Sequence, residues 1–146
     1  MKWLLDTNVI SELSRPKPDR NVTAWLAKQD QDDLALSIVS AAEMRLGISL
    51  LPDGARRRHF EIWFEESVRP MFFGRTLEIT EDVALLWLGL IDQMKRKQKT
   101  LPTSDSLIAA TALHNGLTVC SRDTKPYLQC EVPLFNPFTG ERFNGA

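Results

Sequence analysis

Cysteine, histidine and tyrosine are scarce in this chain, and no long apolar run occurs anywhere in it. The two cysteines, Cys120 and Cys130, make no disulfide framework, and no second pair or neighbouring histidine gives them zinc-ligand spacing. Cys120 sits in an apolar stretch and reads as a small buried residue. His59 and His114 stand isolated, so no Ser/His or Cys/His nucleophile set is in view. The opening Met1-Lys2-Trp3-Leu4-Leu5 meets a charge at Asp6, too early for the apolar part of a signal peptide or a membrane span. The expectation is therefore a cytoplasmic protein with no membrane partner. A formal net charge of -1 supplies no general basic field, so any nucleic-acid contact has to rest on local patches or metal ions. Repeats, low-complexity tracts and linkers are missing too.

What is present suits one globular domain over residues 1–146. Hydrophobic residues make up 43% and charged residues 25%, and the length suffices to bury a core without staples. Trp3-Leu4-Leu5 reads as a buried strand. Asp6-Thr7-Asn8 then turns the chain into a helix through Val9, Ile10 and Leu13, broken at Pro16 and Pro18. Val22, Trp25 and Leu26 have helical spacing, and Leu34 to Ser37 reads as a second strand. Ser40 is expected to cap a helix that carries Glu43, Leu46, Gly47 and Leu50 and ends near Pro52. Phe60, Trp63, Phe64 and Val68 mark the next helix, and Arg75 to Ile79 a strand. Val83, Leu86, Trp87, Leu90, Ile91 and Met94 hold helical spacing over three turns. A helix from Asp105 to about Asn115 is stopped by Gly116. Leu117 to Cys120 and Val132 to Phe135 are the remaining strands. Short apolar strands alternating with amphipathic helices predict an α/β fold, a parallel sheet flanked by helices.

Four acids occupy one kind of position: Asp6, Glu43, Asp105 and Asp123 each follow a strand or lie in a helix's first turn. In a parallel sheet such positions share the carboxyl edge of the strands, the usual ligand crevice. Each also has a local explanation. Ser40-Ala41-Ala42-Glu43 is a ready-made capping box, and Asp6, Asp105 and Asp123 suit helix starts. Two features weigh against purely local roles. Glu43 shares a face with Leu46 and Leu50, and Asp105 with Ile108, Ala109 and Ala112, where a carboxylate is costly unless paired. No Lys or Arg lies on those faces. Converging carboxylates repel one another unless a divalent cation lies between them. An all-oxygen donor set suits Mg²⁺ or Mn²⁺ and points to phosphate-ester chemistry.

Leu4-Leu5-Asp6-Thr7-Asn8-Val9-Ile10-Ser11-Glu12, Ala41-Ala42-Glu43-Met44-Arg45-Leu46-Gly47, Asp105-Ser106-Leu107-Ile108-Ala109-Ala110-Thr111-Ala112 and Ser121-Arg122-Asp123-Thr124 resemble the four signature segments of PIN domains. More narrowly, they resemble the VapC toxin family and its FitB-like branch, as does Val132-Pro133-Leu134-Phe135-Asn136-Pro137. The resemblance implies a PIN-like fold with a parallel sheet of about five strands. It also implies an Mg²⁺- or Mn²⁺-dependent endoribonuclease, the toxin of a type II toxin–antitoxin pair. By the same resemblance, Asp6 and Asp105 are the principal metal ligands, and Asp123 serves a second metal or its water. Glu43 orients or deprotonates the attacking water, and Thr7 supports the set. A homodimer, a small cognate antitoxin in the acidic cleft and higher-order complexes with that antitoxin are implied as well.

Two cationic runs, Arg56-Arg57-Arg58 and Lys95-Arg96-Lys97 with Lys99, read either as solvated helix surface or as holders of RNA phosphates flanking the cleft. Two other functions remain open on sequence. An aspartate-nucleophile phosphatase of the haloacid dehalogenase type wants a second Asp where Asn8 stands. A catalytically silent PIN-like module that binds RNA or protein is expected to lack one of the four acids.

Overall fold

The computed structural model describes all 146 residues. In chain order the elements are β1 (Trp3–Leu5), α1 (Thr7–Glu12), α2 (Arg20–Ala27), β2 (Leu34–Ser37), α3 (Ile38–Ser49) and α4 (Ala55–Trp63). The chain continues through a π-helical turn, Phe64–Val68, into the short α5 (Arg69–Met71). Then come β3 (Thr76–Leu77), α6 (Glu81–Arg96), α7 (Thr103–Asn115), β4 (Thr118–Cys120), α8 (Lys125–Gln129), β5 (Leu134–Phe135) and β6 (Arg142–Phe143).

The sheet order is β3-β2-β1-β4-β5-β6, with the first five strands parallel and β6 antiparallel to β5. The expected sheet is thus present with one further strand. Pleating sends alternate residues to opposite faces. Leu4, paired with Ala35 and Val119, meets Ile108, Ala109 and Leu90 of α6 and α7 on one side. Leu5, paired with Leu36 and Cys120, meets Val9, Ile10, Met44 and Phe64 on the other. Both faces are covered, which is why these strands are apolar throughout rather than alternating.

From β1 the order runs through β2 to β3 on one side and through β4 to β5 on the other. The crevice at the switch point therefore opens at the carboxyl ends of β1 and β4. The Asp6 amide donates to the Cys120 carbonyl (2.9 Å), tying the two strand ends together where that crevice begins.

The structure corrects the reading of α3. Ser37 rather than Ser40 is its N-cap, accepting the Val39 amide at 3.1 Å, so the helix is capped three residues earlier than expected. Ser40 lies inside the helix, fully buried, its hydroxyl without a hydrogen-bond partner. The capping box therefore does not form, and Glu43 lies in the second turn. A buried hydroxyl with no partner costs free energy. Ser40→Ala is expected to keep stability or raise it by up to about 1 kcal/mol in urea unfolding; a loss larger than that would mean the hydroxyl is satisfied in solution.

Leu46 and Leu50 also differ from expectation, being 60% and 75% exposed. The α3 face that carries Glu43 looks outward, so the acid is not forced into the core as its neighbours' apolarity implied. Asp105 does share its face with buried residues, as Ile108, Ala109 and Ala112 are all inaccessible to solvent.

Candidate metal centre

The crevice gathers all four acids from four separate segments. Asp6 ends β1 and caps α1, accepting the Thr7 amide on Oδ1 at 2.8 Å. Only 5% of it is exposed. Its second oxygen, Oδ2, accepts two hydroxyls at 2.8 Å each, from Ser121 and Tyr127, and a longer bond from the Asn8 amide at 3.4 Å. Asp105 lies half-buried in the first turn of α7, a helix start that no side chain caps. Glu43 stands exposed on α3, accepting the Thr7 hydroxyl at 3.3 Å. Asp123 is exposed in the loop after β4, its amide donating to Ser121 Oγ at 3.0 Å.

The local alternative holds in part for Asp6, which is a true N-cap, but an N-cap needs neither burial nor three further donors. Asp123 does not cap α8; Thr124 occupies that position.

The electrostatics show how the acids affect one another. Burial, then the charges of Asp6, Asp123 and Glu43, push the Asp105 carboxyl up to about 6 from an ordinary 3.8. Burial raises Asp6 as well, opposed by the Ser121, Tyr127 and Thr7 hydrogen bonds and reinforced by Asp123. Glu43 is raised by lost solvation and by Asp6, against the Thr7 and Ser104 hydroxyls. None of the ion pairs in the structure involves any of the four. The nearest basic candidate in sequence, Arg122, turns away: it faces Glu12 at 3.9 Å and covers the Phe138 ring at 3.8 Å.

No three Asp, Glu, His or Cys side chains are drawn together closely enough to enclose an ion by themselves. A hard divalent cation such as Mg²⁺ is bound by one or two carboxylates and keeps several waters. Oxygen donors with raised proton affinity and no cationic side chain to relieve them fit such an ion, and softer metals much less well.

Two residues central to this geometry escaped the sequence reading of the site. Ser121, in the fourth signature segment, has no role legible from sequence, yet it bridges Asp6, Asn8 and the Asp123 amide. Tyr127, the chain's one tyrosine, is fully buried with its hydroxyl on Asp6. A lone tyrosine shortly after an acidic turn was the only available signal. Tyr127→Phe removes one of the bonds that favour ionised Asp6 and is expected to cost about 1.5–3 kcal/mol of stability, as for other hydrogen bonds to charged groups. Cleavage should then need a higher pH than in the parent, which a pH–rate profile reads directly.

Comparison with known proteins identifies the family. The PIN domain family model matches residues 3–131. The chain belongs to the PIN-domain family, in its VapC and FitB branch. Toxin FitB of Neisseria gonorrhoeae is 41% identical over 92% of this chain and 97% of its own length. VapC ribonuclease Y4jK of Sinorhizobium fredii is 39% identical over 92% of this chain and 96% of its own. The crystal structure of FitAcB from Neisseria gonorrhoeae superposes with a TM-score of 0.88 at 40% identity, covering 93% of this chain and 98% of that one. The phosphatase alternative loses its ground, and Asn8 has other work in this PIN domain. Its amide donates to Ser121 at 2.9 Å and its carbonyl oxygen accepts the Arg122 amide at 3.1 Å, bracing the two loops.

Proposed function

We propose that this PIN domain is an Mg²⁺- or Mn²⁺-dependent endoribonuclease and the toxin of a type II toxin–antitoxin pair, acting in the cytoplasm as one domain over residues 1–146. The observation that carries the reading is Asp105, whose carboxyl is pushed up to about 6 by burial and then by the charges of Asp6, Asp123 and Glu43, none of which makes an ion pair. Such a cluster is stable at neutral pH once a hard cation joins it. Relatives named as a toxin and a ribonuclease supply the substrate class.

Asp6 and Asp105 are the residues that would hold the ion directly, with Asp123 serving a second metal or a metal-bound water. When bound, it neutralises charge on the phosphate and polarises its P–O bonds. Asp6 is pre-positioned by Ser121, Tyr127 and the Thr7 amide, so its carboxylate need not reorganise during reaction. Glu43, at the open rim with a raised proton affinity, takes the proton of the attacking water, and Thr7 orients it. The water oxygen joins phosphorus as the P–O bond to the ribose oxygen breaks, and that oxygen takes a proton from solvent.

An antitoxin has a ready surface. A groove of about 350 Å³ beside Thr7 and Glu43 is floored by Met44, Ile48, Phe60 and Trp63. Exposed Leu46 and Leu50 lie on the same helix. An amphipathic helix reads such a groove through its apolar side, and a cation beside it would face the acids. A homodimer and larger complexes with the antitoxin follow from the same family reading.

Two experiments test this. Purified protein with Mn²⁺ should generate discrete RNA ends that disappear with EDTA, and end mapping then gives the sequence cut. Expression of the chain alone should arrest growth, with rescue by the adjacent small open reading frame. Unimpaired growth despite soluble accumulation would exclude the toxin role, and RNA left intact at any divalent cation would exclude the nuclease.

A further inference from the structure

The two cationic runs are not equivalent in three dimensions. Arg57 pairs with Glu61 at 2.9 Å, Arg58 with Asp53 at 3.9 Å, and Arg96 with Asp92 at 3.1 Å. Arg56 faces the apolar groove beside Glu43. Lys99 differs from all of these. It makes no ion pair, and it lines a groove of about 460 Å³ together with Asp123 and a second unpaired lysine, Lys125.

The fold places both lysines there. Helix α6 ends with Gln98 in the left-handed region (φ 56°), and the Lys99 amide bonds the Met94 carbonyl at 2.8 Å while the Gln98 amide bonds Lys95. This is a Schellman closure, which fixes the direction in which the chain leaves the helix. Lys99 is thereby carried to the wall of the groove, which Lys125, the first residue of α8, also lines. No Leu, Ile, Val, Met or aromatic side chain lines this groove, in contrast to the one beside Glu43.

A chain of net charge -1 that concentrates its acids in one crevice repels a polyanion there, and a bound cation offsets this only locally. We infer that Lys99 and Lys125 form a phosphate subsite that holds the RNA backbone next to the phosphate being cut, on the Asp123 side of the crevice. The inference rests on the nuclease reading above. Two exposed lysines act as point charges on the backbone, so the subsite contributes affinity and register without reading bases. The Glu43 side, apolar and cut off from these lysines by the acids, is left for the protein partner.

The test compares the parent with K99A/K125A, with Lys28→Ala as a control. Lys28 is a lysine without an ion pair that lines a separate groove with Trp25 and Phe135. Binding of a short single-stranded RNA is measured in an Asp6→Asn background over a salt series, and steady-state cleavage in the Asp6 background. Loss of two phosphate contacts is expected to flatten the slope of log affinity against log salt by about 1.4, at about 0.7 per contact on a single strand. KM should rise more than kcat falls, and Lys28→Ala should match the parent in both assays. Unchanged affinity and slope in K99A/K125A, with the parent still cutting RNA, would overturn the subsite alone. An equal loss in Lys28→Ala would overturn it too, by reducing the effect to net charge. A parent that neither binds nor cuts RNA overturns the nuclease reading, and the subsite with it.

Discussion

Replacing Asp6 by asparagine is expected to lower RNA cleavage by at least about a hundredfold, the scale of losing one pre-positioned electrostatic contact in an active site. An amide is a poor ligand for a hard cation, so the charge that would hold Mg²⁺ or Mn²⁺ is gone. The fold should survive. The Tyr127 hydroxyl can rotate to accept as well as donate, so an asparagine amide in place of Oδ2 finds a partner there. The Thr7 amide keeps its acceptor if the carbonyl oxygen takes the place of Oδ1. Circular dichroism should therefore match the parent while cleavage of a mapped RNA is lost. Parent-like cleavage by a folded Asp6→Asn protein would rule out a role for this carboxylate in holding the ion.

Asp105→Asn is expected to act in two directions at once. It should remove cleavage, and in EDTA at pH 7.5 it should raise the melting temperature. The sign follows from linkage. The Asp105 carboxyl is pushed from 3.8 up to about 6, so the native state binds more protons than the unfolded chain within that interval. Stability falls as pH rises through it, and the full penalty is present above it. The side chain is only half-buried, so solvent screening reduces the penalty to about 1 kcal/mol, or roughly 2–4 °C for a chain of this size. An asparagine carries no such penalty. Excess Mn²⁺ should reverse the ranking, because a ligand that binds only the native state stabilises the parent by mass action and the mutant much less. A melting temperature lowered by Asp105→Asn in EDTA would mean that this acid is locally satisfied rather than held under repulsion.

Much of this could be read from the sequence because strand ends and helix starts carry strong punctuation. Leu4-Leu5 followed by Asp6-Thr7-Asn8 fixes a strand, a turn and a helix start in five residues. The same logic located Asp105 ahead of Ile108 and Ala109, and Asp123 after β4. Burial on both faces made the strands apolar enough to find without periodicity. The errors have physical causes too. Ser37 and Ser40 are both plausible caps three residues apart, and the choice depends on where β2 stops pairing, which lies outside the local sequence. Leu46 and Leu50 were read as core because apolar spacing does not distinguish a face against the sheet from one left for a partner. β6 pairs only two residues, Arg142 and Phe143, and α8 spans five with Pro126 inside, both too short for a periodic signal. Tyr127 was missed for that reason, since its contact with Asp6 spans 121 positions in the chain.

The proposed centre has Asp6 and Asp105 binding a hard cation, with Asp123 and Glu43 serving the water and phosphate around it. Crystals soaked in Mn²⁺ and measured at an anomalous wavelength test it most directly. A peak within ligand distance of Asp6 and Asp105, lost in Asp6→Asn crystals, is the predicted result. A crevice without a peak at saturating Mn²⁺, in a protein that still cuts RNA, would contradict it.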